Sequence, residues 1–148
     1  MGTTDMQQTS EIEAALERLF HHTLEVMCFT EAERLPSLPA MGDAIEASVA
    51  FGGSRTGHLQ LQVEPVAARS LTAAFLGLEA GHPSLASHTA DTMGEFARIL
   101  CGRLVTSLDS STPVEMKPAC IGIRKPEKII GQAFRAGAGT LRITLQMS

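Results

Sequence analysis

Asp91, Glu95 and Arg98 are the residues of this chain whose types and spacing best suit chemistry. An α-helix advances about 100° per residue, so with Glu95 at zero Asp91 falls near −40°, Arg98 near −60°, Gly102 near −20° and His88 near +20°. Met93, Ala97, Leu100 and Leu104 cluster on the opposite side, between about 140° and 200°. The spacing therefore sets two carboxylates and a guanidinium on one narrow outward row of a helix. A Glu–Arg pair at i,i+3 is also an ordinary surface ion pair worth a few tenths of a kcal/mol, about 0.2–0.5. On spacing alone the row reads first as a solvated face. Gly102 is the oddity, because glycine inside a helix costs roughly 1 kcal/mol relative to alanine. Close approach of another chain would account for it, and so would a bend.

Other constellations carry less. His21 and His22 are adjacent on a helical stretch and so do not share a face. His58, His82 and His88 are dispersed, and no Cys/His spacing suits a metal. Gly137 and Gly139 flank Ala138 in a turn with no lysine or helix after it, which is not a phosphate cradle. No serine lies in a GxSxG context. Cys28, Cys101 and Cys120 are odd in number and far apart, and read as buried free thiols.

The elements that must position this row follow from periodicity. Ser10 and Glu13 form a capping box, and Ile12, Ala15, Leu16, Leu19, Thr23, Val26 and Met27 recur behind it at helical spacing. This predicts a helix from Ser10 to Cys28, preceded by a flexible lead over residues 1–9. The segment RLPSLPAMGD breaks regularity. From Ala44 the period becomes two, with Ile45, Ala47, Val49 and Phe51, then Leu59, Leu61 and Val63 beyond a Gly52-Gly53-Ser54 reversal: a β-hairpin. Pro65 opens a second helix with a stripe of Val66, Ala67, Ser70, Leu71, Ala74, Phe75 and Leu78, closed by Gly77. The third helix runs from Ser84 to Leu108. Val114–Ile123 reads as extended, with Pro118 favouring an edge or kink. Ile129–Arg135 and Thr140–Met147 form a last hairpin around Gly137-Ala138-Gly139. The result is one α+β domain over residues 1–148, with an antiparallel or mixed sheet of five to six strands and three helices on one face.

Composition sets the outer bounds. A chain of 148 residues with 44% hydrophobic and 19% charged residues can bury one proper core. A net charge of −4 argues against nucleic acid, which needs a basic surface. Cations look scattered, with Arg124, Lys125 and Lys128 the nearest thing to a patch. Met1–Ser10 is polar and unlike a signal peptide, the myristoylation pattern fails at Met6, and no apolar run approaches the ~20 residues of a membrane span. A cytoplasmic location is the expectation.

The segment DTMGEFARILCG resembles the signature helix of the CheC/CheX phosphatases, where an acidic or serine residue precedes xxxExxN and then a glycine. Asp91, Glu95 and Gly102 sit at matching positions. Phe51-Gly52-Gly53 before Gly57-His58-Leu59, the helix end Ala74-Phe75-Leu76-Gly77 and the closing Gly139-Thr140-Leu141-Arg142-Ile143 resemble CheX-type chains too, so the likeness covers most of the chain from Ala44 onward. The resemblance implies a chemotaxis phosphatase acting on the phospho-aspartate of a CheY-like response-regulator receiver domain. It implies receiver contacts through Asp91, Gly94, Glu95, Arg98 and Gly102, with Glu95 and Arg98 at the chemistry. The receiver would supply Mg²⁺, this chain would carry no cofactor of its own, and a homodimer would form through sheet edges. Arg98 is the departure, standing where the family has its water-orienting asparagine. A guanidinium has five donors and no acceptor, and the sequence contains no asparagine to take over. A receiver-binding or dimerising adaptor without catalysis is the alternative reading.

Overall fold

The computed structural model describes residues 2–52, 55–108, 115–118 and 128–147. Among the described residues nine elements follow one another: α1 (Gly2–Cys28), β1 (Glu33–Arg34), β2 (Ile45–Gly52), β3 (Gly57–Val63), α2 (Pro65–Leu76), α3 (Leu85–Leu108), β4 (Glu115–Pro118), β5 (Lys128–Ala136) and β6 (Gly139–Met147). The strands form one sheet in the order β1-β5-β6-β3-β2-β4, with every pairing antiparallel.

Alternation along the strands gives the sheet one buried and one part-exposed face. Leu59, Leu61 and Val63 of β3 pair with Leu145, Ile143 and Leu141 of β6, and all six are fully buried. The three helices cover this face, with α3 between α1 and α2 and against β2. Phe20 of α1 joins the layers. It stacks on Phe134 of β5 at 4.0 Å between centroids and meets Phe96 of α3 edge-on at 5.6 Å. Aromatic pairs of this kind add to plain area burial.

Two local devices explain why the hairpins sit where the sequence puts them. Gly57 lies opposite Phe51 across the first hairpin, and a Cβ there would collide with the Phe51 ring and come within 2.7 Å of the Gln146 carbonyl. The ring thus occupies the space the glycine leaves. In the second hairpin Gly137 and Ala138 both take positive φ, at 59° and 67°, as a tight two-residue reversal requires. Gly77 ends α2 in the left-handed conformation, its N–H bonded back to Ala73 and Ala74.

Several expectations are corrected. α1 begins at Gly2, running through the segment expected to be a flexible lead, so Ser10 and Glu13 lie inside the helix and do not cap it. Lys128 of β5 donates to Gln8 at 3.0 Å, a tertiary tie that helix periodicity cannot reveal. Phe20 and Leu24 join the buried face of α1, while Val26 is 56% exposed. The α2 stripe is Ala67, Ala68, Leu71 and Thr72, leaving Val66 and Phe75 outside. Small alanines face the sheet because the helix lies close to it: a Cβ on Gly139 of β6 would sit 2.8 Å from that of Ala67. The stretch after α1 contributes β1, which pairs with Arg135 and Phe134 of β5. Of the extended segment expected over Val114–Ile123, Glu115–Pro118 forms the edge strand β4 and the rest lies outside the described residues. No helix among the described residues is long and apolar enough to cross a membrane.

Candidate functional site

The third helix carries the candidate site, and its register is fixed by what it buries. Met93, Phe96, Ala97, Leu100 and Leu104 are buried on the inner side at 0–1% exposure, with Thr89, Thr92, Cys101 and Val105 beside them. A helix pinned along that line must turn Asp91, Glu95 and Arg98 outward. Asp91 and Arg98 are exposed and Glu95 half-buried. Arg98 Nη1 donates to Glu95 Oε2 at 3.3 Å, with 61% and 44% of the two side chains accessible to solvent. Gly94 and Gly102 are half-buried, and a Cβ on Gly94 would meet nothing within 4 Å. The structure therefore keeps the row together on one surface, an anion and a cation in loose contact.

A shallow depression of about 660 Å³ adjoins the row, where α3 leans against α1. Leu19 of α1 forms one wall, and Ile99, Gly102, Thr106 and Ser107 form the other, with Arg98 and Arg103 at its margins. Arg103 is held there by α1. Its Nη1 donates to His22 Nδ1 at 2.7 Å and approaches Thr23 Oγ1 at 3.4 Å. An arginine has only donors, so the His22 ring accepts through Nδ1. A second depression meets the first at Ser107 and is lined by Arg18 and Glu11 of α1 and by Arg55 beside the first hairpin.

Arg103, His22, Arg18 and Arg55 were not singled out as site residues from the sequence. Arg103 and His22 are 81 residues apart, and no local pattern links them. Leu19, expected in the core stripe, packs against the core while half-buried, and its outer side lines the groove wall. The other histidine of that pair, His21, turns away from the site and meets Phe134 edge-on at 5.4 Å. Nearby Glu17 binds Arg34 of β1. Among the described residues no cluster of His, Cys, Asp and Glu could hold a metal ion. Cys28 and Cys101 are buried free thiols, and burial pushes them up to about 11 and about 12. Cys120 lies outside the described residues.

With this geometry in view, the comparisons are consistent. Solved structures share the fold. CheX from Vibrio vulnificus superposes with a TM-score of 0.72 at 19% identity, over 93% of this chain and 99% of that one. A chemotaxis protein from Desulfovibrio vulgaris Hildenborough gives 0.70 at 16%, over 93% and 97%. A chain of the CheX–CheY–BeF3–Mg²⁺ complex from Borrelia burgdorferi gives 0.66 at 15%, over 90% and 96%. At such identities these likenesses establish the fold. No curated protein matches in sequence. The family assignment comes from the sequence itself, which matches the family described as chemotaxis phosphatase CheX over residues 45–133, from the first hairpin through the signature helix to β5. The chain belongs to the CheX family.

Proposed function

We propose that this chain engages the phosphorylated receiver domain of a CheY-like response regulator through the outward row of α3, and that Arg98 makes it a slow phosphatase. The observation that carries this reading is the exposed Glu95–Arg98 pair at 3.3 Å on the signature helix of a CheX-family fold. An exposed i,i+3 pair contributes at most about 0.5 kcal/mol. Opening it therefore costs little when a receiver lysine competes for Glu95. Arg98 is then free to donate to the phosphoryl oxygens, the geometry guanidinium groups favour. Asp91, Gly94 and Gly102 extend the contact along the helix. Mg²⁺ belongs to the receiver in this reading, and this chain contributes no cofactor.

What Arg98 lacks is an acceptor for the attacking water. It can stabilise charge on a transferring phosphoryl group, as arginine fingers do, but it cannot hold water in line as an amide oxygen does. The same deficit favours a second reading, a non-catalytic reader of phosphorylated receivers. A cytoplasmic location and a homodimer joined through sheet edges accompany either reading.

Mixing the protein with a phosphorylated receiver and Mg²⁺ and following phosphate loss separates the readings. Acceleration over the receiver's own rate identifies the phosphatase, and binding without acceleration the reader. If no receiver encoded beside this gene binds at all, the proposal fails.

A further inference from the structure

We infer that the α1–α3 groove is a second docking surface for the same receiver domain, one that supplies the positive charge an acidic partner requires. The inference rests on the reading above and goes beyond it to residues outside the signature row. A receiver that carries a phosphoryl group and holds Mg²⁺ presents one or two carboxylates there beside the phosphoryl oxygens. A chain of net charge −4 would be repelled from such a surface unless its docking face concentrated its cations.

The groove does concentrate them. Arg98 and Arg103 border its upper part and Arg18 and Arg55 its lower part, drawn from α1, α3 and the segment before β3. Among the described lining residues Glu11 is the acid that faces them, and Glu95 beside the groove pairs with Arg98. The floor between is apolar, formed by Leu19 and Ile99, and Gly102 leaves α3 without a side chain there. Arg103 is anchored by His22 and Thr23 on α1, so part of its ordering is complete before a partner arrives. The occupant this describes is an acidic receiver segment that sets one apolar side chain over Leu19 and Ile99 while the phospho-aspartate faces Glu95 and Arg98. Charge complementarity of this kind acts chiefly on encounter rate and salt dependence.

The test measures binding of a beryllofluoride-activated CheY-like receiver to the full-length protein at two salt concentrations. Arg18→Glu/Arg55→Glu, both away from the signature row, is expected to weaken binding at least about tenfold and to flatten its salt dependence. Leu19→Glu is expected to weaken it comparably, with wild-type circular dichroism and melting confirming the fold. Arg103→Glu is not relied on, because it also cuts the tie to α1. If Glu95→Ala abolishes binding while both groove variants bind like wild type, the groove proposal falls and the receiver reading stands. If wild type binds no receiver, both fall.

Discussion

At the scale of single residues, Arg98 decides the chemistry. Its neighbour Glu95 is in place, and α3 is pinned so firmly that an asparagine at position 98 would point the same way. Arg98→Asn restores an acceptor and is expected to accelerate phospho-receiver hydrolysis at least about tenfold, roughly 1.4 kcal/mol of barrier. Phosphate release from a pre-phosphorylated receiver measures it, and an unchanged rate in a variant that still docks contradicts the assigned role. The buried thiols make a separate prediction. Cys28 and Cys101 rise from 9.0 to about 11 and about 12 through burial, so the unfolded chain loses these protons first. Between about pH 9 and 12 stability should therefore fall as pH rises. Urea midpoints at pH 8 and pH 10.5 measure the slope, which should flatten in a Cys28→Ala/Cys101→Ala variant.

At the scale of elements, the first hairpin shows how much a short pattern can encode. Ile45 to Val63 alternates cleanly, and the observed strands differ from the expected ones by a residue or so. Gly57 has a role that alternation alone does not give, since only its cross-strand neighbour Phe51 explains it. Gly57→Ala should destabilise the fold by about 1–3 kcal/mol through overpacking, read from the shift in urea unfolding. α2 shows the opposite case. Val66 and Phe75 are the more hydrophobic residues, yet the helix turns alanines to the sheet. Close approach to Gly139 rewards small side chains over apolar ones there, a condition set by a strand more than sixty residues further along. The start of α1 has a similar basis: Gln8 accepts a hydrogen bond from Lys128, 120 residues further along the chain.

For the whole molecule, the helical layer is held to the sheet through Phe20, which is fully buried and touches both Phe96 and Phe134. Phe20→Ala should cost about 3–5 kcal/mol, measured by chemical denaturation, and should loosen the α1–α3 groove before it disturbs the outward row. Local patterning suffices for the hairpins, the long signature helix and the face on which Asp91, Glu95 and Arg98 stand. Those follow from periods of two and 3.6 that each segment carries within itself. Tertiary structure alone decided the rest: that Leu19 borders a groove, that His22 holds Arg103, and that arginines scattered along the chain converge beside α3. Periodicity states which side of an element faces inward. It cannot state which distant element will lie against it, because that depends on packing between residues far apart in sequence.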